Sequence, residues 1–380
     1  MKNKLTFLFL VFDLFTINSQ TAIEITNLET PALDETSGLL YYNNNLITHN
    51  DSGGDANLYE IDISTGNIVR IVTVNNATNV DWEDITQDAS YIYIGDIGNN
   101  NGNRTDLKIY KISKTDYNDN DNMVTSEVIN YSYADQTEFT SNLNNTNWDA
   151  EGLISYEDKL LIFTKNWSDY RVNVYAIPKT SGTYNASLES SYNVNGLITG
   201  VDISSSENEI YLTGYSASEP PFMFTIHNIP VNSLAIFSGL VSEKIANIVP
   251  LGSQVEAITI FEITPTKHRL YISNEKYIAS FGPTTITFPG KIWLIEIDAI
   301  TLTIPSIPLE LTLKAYPNPF DKILKLSKRV DEIIIYDLSG KIIIKQHFVE
   351  EVSLENLDKG LYIAHININN YKLIKQIIKK

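Results

Sequence analysis

An all-β chain, a five- or six-bladed β-propeller followed by a small β-sandwich, is what three features of this 380-residue sequence predict. Tyrosine, isoleucine, threonine and asparagine are plentiful and long helical periodicities are absent, which favours strands joined by polar turns. Similar stretches recur at roughly 50-residue intervals, the period of propeller blades. The charge balance changes sign near residue 312, where a second composition begins.

The chain opens with Lys2 and Lys4 ahead of an apolar run from Leu5 to Phe15, closed by a small polar stretch near Gln20. This is the layout of a secretory signal, too short for a membrane span, so residues 1–20 are expected to be cleaved. No later segment reaches transmembrane length. There is no cysteine, so export brings no disulfides, and stability rests on core burial and any bound ion. The net charge of -18 excludes nucleic acid or an anionic membrane as the natural partner. Residues 313–380 hold 12 basic and 8 acidic groups, which leaves 16 and 38 for residues 1–312. Two domains with different jobs follow: a propeller over 21–304, a linker over 305–312 containing Pro305 and Pro308, and a C-terminal domain over 313–380.

Five units line up in the first domain. They start at Glu35 (ETSGLLYYNNNLITHNDSGG), Trp82 (WEDITQDASYIYIGDIGNN), Asp149 (DAEGLISYEDKLLIFTKNW), Gly200 (GVDISSSENEIYLTGYS) and Val255 (VEAITIFEITPTKHRLYISNE). Each reads as an acid, a short apolar strand, a turn, a second strand, a polar loop and a strand of the LYEID type. A further β-rich segment such as NIVRIVTV, SEVINYSYAD or KIANIVPL then follows. The spare strands AIEITNL, near the start, and TLTIPS, near residue 303, are expected to complete the last blade. A β-sandwich is the competing architecture, but it gives no reason for an acid to recur before each first strand.

The recurring acids are Glu35, Glu83, Glu151, Asp202 and Glu256. After the second strand comes a second polar set: Asn50 and Asp51, Asp96, Asn166, and Asn274 with Glu275; Tyr215 or Ser216 breaks the pattern in the fourth unit. First strands line a propeller's axis, so these groups are expected to meet at one channel mouth. Carboxylates crowded at low dielectric repel unless they are protonated or share a cation. Oxygen donors without cysteine and with few histidines suit calcium. The alternative is that the acids accept backbone N–H bonds at turns, as repeated residues often do. Trp82 and Trp148, each just ahead of an acid, read as blade-packing residues.

With its ETSGL, NDSG and LYEID stretches, this domain resembles the calcium-dependent six-bladed phytase, gluconolactonase and SdiA-regulated-type propellers. The resemblance implies calcium at the channel, held by Glu35, Asn50, Asp96, Glu151, Asn166 and Asp202. No cluster of lysine and arginine suited to phytate's phosphates accompanies it. His49, beside Asp51 in THNDSGG, is the candidate general base, against the plainer reading of a hydrogen-bonded turn histidine. His227, His268, His347 and His365 show no metal spacing. The loop DYNDNDNMVTSE places Asp116, Asn118, Asn120 and Glu127 at positions 1, 3, 5 and 12 of a calcium loop. Asp121 stands where that loop needs glycine, so it reads as a blade loop.

The C-terminal domain carries YPNPF from Tyr316, IYDLSGK from Ile335, the L-x-x-L-x-x-G-x-Y run ending at Tyr362 and a lysine-rich end, KLIKQIIKK. In that order these motifs resemble the type A sorting domain of type IX secretion. The resemblance implies export across a Gram-negative outer membrane, recognition of the terminal strand from Tyr371 to Lys380 by the secretion machinery, and delivery to the cell surface or medium. The function expected for the propeller is binding of a glycan, peptide or small molecule, using aromatics such as Trp82, Trp148 and Trp167 on its face. The alternative is a calcium-dependent hydrolase of the lactonase or phosphoesterase type.

Overall fold

A computed structural model describes residues 22–119, 121–204, 206, 209–216, 220–242, 244–250, 253–281, 284–298, 313–338, 340–368 and 371–380. The signal segment 1–20, the strand TLTIPS, the linker 305–312 and Asn120 lie outside the described residues. The chain divides into two compact units, Met1–Ile300 and Thr301–Lys380.

The first unit consists of antiparallel sheets in chain order. Blade 1 has strands Thr36–Tyr42, Asn45–Asn50, Asn57–Ile61 and Ile68–Val74; blade 2 has Trp82–Gln87, Tyr91–Asp96, Lys108–Ser113 and Glu127–Tyr133. Blade 3 has Ala150–Tyr156, Lys159–Thr164, Arg171–Pro178 and Gly182–Asn193. Blade 4 has Leu197–Ile203, Glu209–Tyr215 and Phe222–His227, edged by the short strands Leu240–Val241 and Ile245–Ala246. Blade 5 has Gln254–Ile263, Lys267–Glu275 and Lys291–Asp298, and its outer strand is Ile23–Asn27 from the start of the chain. AIEITNL therefore closes the ring by pairing Ile23 with Leu294.

The inner strand of each blade packs against those of its two neighbours, one to two, two to three, three to four, four to five and five back to one. The ring is a closed five-bladed propeller. The same count comes from the core. Five apolar clusters lie one between each pair of adjacent blades, as where Leu40, Ile47 and Leu58 of blade 1 meet Trp82, Ile85 and Tyr110 of blade 2. Each blade is apolar on both faces because each face meets a neighbour, and burying one such leucine or isoleucine is worth about 1.5–3 kcal/mol. Blades 2 and 3 are also joined at their rims, where the outer strands pair in parallel with Ile129 opposite Gly182.

The second unit is a small all-β domain of strands Ala315–Tyr316, Ile323–Tyr336, Ile342–Ser353, Gly360–Ile368 and Tyr371–Lys379. The long strand Ile323–Tyr336 breaks register between Lys325 and Val330, which bends the sheet around Phe320, Leu324, Ile333, Ile366 and Ile377. YPNPF is pinned to the terminal strand. Asn318 accepts from Ile378 N–H and donates to the Gln376 carbonyl, and Phe320 is fully buried.

Candidate functional site at the channel mouth

Every inner strand slips register by one residue near its start: between Ser37 and Leu39, Trp82 and Asp84, Ala150 and Gly152, Ile198 and Gly200, and Val255 and Ala257. A bulge leaves one residue out of the ladder and re-aims its side chain. In blades 2, 3 and 5 the skipped residue is Glu83, Glu151 and Glu256, and all three line one cavity of about 200 Å³. Blades 1 and 4 contribute hydroxyls at this level. Ser37 Oγ donates to the Glu83 carbonyl at 2.7 Å, and Thr199 Oγ1 donates to the Val255 carbonyl at 2.6 Å.

The ends of the second strands and the loops after them supply more of the wall: Asp51 from blade 1, Lys165 and Trp167 from blade 3, Tyr215 from blade 4 and Glu275 from blade 5. Asp81 and Asp149 stand two residues ahead of Glu83 and Glu151. Asp51, Asp81 and Glu83 bring one carboxylate oxygen each within 4.8 Å of one another, and so do Glu83, Asp149 and Glu151.

Crowding shows in the acidities. Burial first, then the charges of Glu151, Asp51, Asp81 and Asp149, push Glu83 well above the usual carboxylate range. Burial, with Asp51 and Asp149, lifts Asp81 to about 7. Burial and Glu275 raise Glu256 to about 8 against the pull of Lys165. Glu275 is pushed up to about 8 by burial, Asp51 and Glu35. Lys165 is the one cation among the described residues that line the cavity, its ammonium 2.8 Å from Glu151 Oε1. Burial works against its charge, but Glu151, Tyr215, Glu256 and Asp149 outweigh it and hold the ammonium protonated.

The donor set fits a hard divalent cation on two observations. Glu256 Oε1 and Asp51 Oδ1 are buried and have no hydrogen-bond partner, a costly state that an ion relieves. A Cβ at Gly98 would run into Glu83 Oε1 and the Asp81 carboxyl, so only glycine leaves these oxygens their space.

The structure brings together Asp51, Glu83, Glu151 and Glu256 of the sequence-derived candidates and places the others elsewhere. Glu35 is exposed. Asn50 donates to the Ala32 carbonyl. Asp96 is buried in an ion pair with Arg104 at 2.8 Å. Asn166 accepts from Thr164 Oγ1 and donates to Asp169. Asp202 lies three residues beyond the blade 4 bulge. Its two oxygens accept the N–H groups of Ile203 and Ile260, so it staples blade 4 to blade 5. A ring of five equivalent acids is thus corrected to three bulge acids, two acids just ahead of them and two acids, Asp51 and Glu275, at the ends of second strands. The physical reason is the register, which puts Gly38 and Thr199, not Glu35 and Asp202, at the bulges of blades 1 and 4. His49 is fully buried, edge-on to Trp82 at 5.6 Å, and burial lowers its pKa to about 4; it does not line the cavity. Trp82 is also fully buried, so it packs blades and offers no face, whereas Trp148 and Trp167 are half-buried at the mouth.

Asp116 caps no calcium loop: it sits in the single helical turn Lys114–Tyr117, while Glu127 pairs with Lys111 in blade 2. His227 and His268 flank Glu209 at 3.2 Å each, an arrangement their spacing in sequence hides. Reading the residues in order missed Lys165, Asp81 and Asp149. The two acids had a signal, the repeated D-x-E of Asp81–Glu83 and Asp149–Glu151; Lys165 had none.

At the other ends of the inner strands lies a second cavity, of about 570 Å³, lined by Thr86, Gln87, Ser155, Asp202, Thr259 and Phe261 among others.

Residues 314–380 match the family model for the secretion system C-terminal sorting domain. This segment is a type IX sorting domain. The sorting domain marks the protein for the cell surface or extracellular space, and no helix among the described residues is long and apolar enough to cross a membrane. No curated protein matches the chain. Among solved structures, the periplasmic gluconolactonase PpgL of Pseudomonas aeruginosa is similar at 10% identity and TM-score 0.35, over 88% of this chain and 97% of that one. A structure described as TolB from Agrobacterium tumefaciens is similar at 12% identity and TM-score 0.38, over 74% and 99%. The chain spans 43% of the extracellular domain of a one-component system from B. thetaiotaomicron, at 11% identity and TM-score 0.28, with 91% of this chain covered. At these scores the five-bladed fold rests on the closed ring of inner strands, not on the likeness.

Proposed function

We propose that the protein is a secreted binding propeller whose channel mouth holds a calcium ion and presents it to a small hydroxyl-rich or anionic ligand, such as the end of a glycan. The observation that carries this is the convergence of carboxylates on one cavity that retains unpartnered buried oxygens on Glu256 and Asp51. Asp51, Asp81 and Glu83 would hold the ion, an all-oxygen set of the kind calcium takes. The ion supplies a positive centre for a ligand oxygen. The protein's own residues orient that ligand: Trp167 and Tyr215 wall the cavity, and the loop bearing Asn144 borders both this cavity and a groove lined by Asn142, Asn145 and Trp148. The test is a calorimetric calcium titration of the full chain beside Asp51→Asn with Asp81→Asn. Binding by the wild type and none by the double variant is expected; equal behaviour of the two would sink the proposal.

A second reading, a calcium-dependent hydrolase, is favoured by one observation. Glu256, outside both acid triads but lining the same cavity, is held at about 8 and so carries a proton at neutral pH. A carboxylic acid kept protonated beside a polarised ester is placed to protonate a leaving group. Turnover of a lactone or phosphate ester that disappears in Glu256→Gln, with calcium binding retained, would select this reading over binding alone.

A further inference from the structure

We infer that Lys165 is a built-in substitute for a second cation: its ammonium fills, from within the chain, the half of the acidic cavity that would otherwise take another divalent ion. This rests on the calcium reading above and deepens it by fixing how many ions the mouth accepts.

The two acid triads share Glu83, so they form two adjacent sets of oxygens with one carboxylate in common. They differ in what faces them. Among the described residues, no ion pair joins Asp51, Asp81 or Glu83 to a lysine or arginine. In the other triad, Glu151 is bonded to the Lys165 ammonium at 2.8 Å, with both side chains almost wholly buried.

The lysine is held as a bound cation would be. Its Nζ stands 5.1 Å from the centre of the Trp167 ring and 5.5 Å from that of Tyr215, so carboxylate and aromatic walls enclose it together. Trp167 also donates its Nε1–H to Asp149 Oδ2 at 2.8 Å, and the Asn99 N–H reaches Asp149 Oδ1 at 2.6 Å. These bonds fix the third acid of this triad in place without a metal. Among the described residues only blade 3 does this, and blade 2 has Ile97 at the matching position. The corresponding positions of blades 1 and 5 are the acids Asp51 and Glu275, and that of blade 4 is Tyr215.

An ammonium brings one positive charge, where a divalent ion would bring two. The neutralisation it provides is incomplete, and the unpartnered Glu256 Oε1, in a residue 6% exposed, points into the same cavity. A divalent ion entering beside Glu151 would meet the lysine's charge at contact distance, and the tether keeps that charge in place whatever the free ion concentration. The mouth therefore takes one calcium ion, on the Asp51–Asp81–Glu83 side.

Removing the tethered charge should open the second position. The experiment is calorimetric calcium titration of the full chain as wild type, Lys165→Met and Lys165→Gln, with thermal melts of each in calcium and in chelator. The expected result is one ion per chain for the wild type and two for both variants, with a larger calcium-dependent rise in Tm in the variants. One ion in all three proteins would overturn the inference and leave the calcium reading standing. Two ions in the wild type would also overturn it. No binding by the wild type would overturn the calcium reading, and the inference with it. If a variant is unfolded in chelator, folding on calcium addition with two ions bound supports the inference, and failure of both variants to fold in calcium overturns it.

Discussion

At the mouth of the channel, Glu83, Glu151 and Glu256 turn their carboxylates into a polar cavity with one lysine among them; at the far end, the same inner strands line a larger cavity whose acids are all bonded. There Asp202 accepts two backbone N–H groups, Asp88 accepts those of Ser90 and Tyr91, and Glu262 pairs with Arg269. Glu83 and Asp84 condense the contrast into adjacent residues. Glu83 faces the cavity, whereas Asp84 accepts from Ile85 N–H and reaches across to Leu153 N–H of blade 3. A buried carboxylate satisfied by backbone donors holds blades together; one left to face its own kind is available to a cation.

Four changes would break or sharpen this contrast. The largest effect is expected from Asp202→Ala, which leaves the N–H groups of Ile203 and Ile260 without their acceptor. It should cost about 3–5 kcal/mol in urea unfolding and leave calcium affinity unchanged. Loss of calcium binding without loss of stability would erase the distinction between the two ends.

Next comes a pH effect of fixed sign. Glu256 has its pKa raised on folding to about 8. Its contribution is therefore fully present below its unfolded value and is lost as pH rises through 8. Without calcium, Glu256→Gln should stabilise the protein by about 3 kcal/mol at pH 9 and by almost nothing at pH 4. His49 works in the opposite direction. Its pKa falls to about 4 on folding, so its contribution is present above 6.5 and is lost as pH drops towards 4. Denaturant unfolding across pH 4–9 separates the two, and a Glu256→Gln curve parallel to the wild type would refute the assignment.

Gly98→Ala places a methyl group against Glu83 and Asp81. It should weaken calcium binding by about 30-fold, or about 2 kcal/mol, with a small change in Tm; unaltered affinity would mean that these two oxygens do not hold the ion. The smallest effect is expected from Thr259→Val at the far end, which removes an acceptor for Tyr41 N–H and a donor to Asp202. About 1 kcal/mol of stability should be lost, with calcium titration indistinguishable from wild type.

Much of this was legible in the residues. Strand segments and the motif order YPNPF, IYDLSGK and the lysine-rich end are local patterns; the chain is all-β among the described residues, and the sorting domain lies where those motifs put it. The site was legible only in outline. Glu83, Glu151, Glu256 and Asp51 were among the candidates, but Glu35 and Asp202 had been matched to them by type and approximate position. Each lies three residues from the bulge of its strand, Gly38 or Thr199; such an offset is invisible in a comparison by type, yet an odd shift moves a side chain to the opposite face of a strand. The buried His49 was misplaced for a related reason, since THNDSGG reads as a polar loop although His49 lies in the strand Asn45–Asn50, opposite Ser37.

By itself the sequence determined that the chain is all-β, that its last part is a sorting domain, and that acids stand ahead of several strands of its first part. These depend on composition and spacing along the chain. Only the tertiary structure decided that five blades close the ring through Ile23–Asn27, that bulges aim three glutamates inward, and that Lys165 meets Glu151. Ring closure and the direction of a bulged side chain depend on strand pairing between residues far apart in the chain, and no local pattern encodes that geometry.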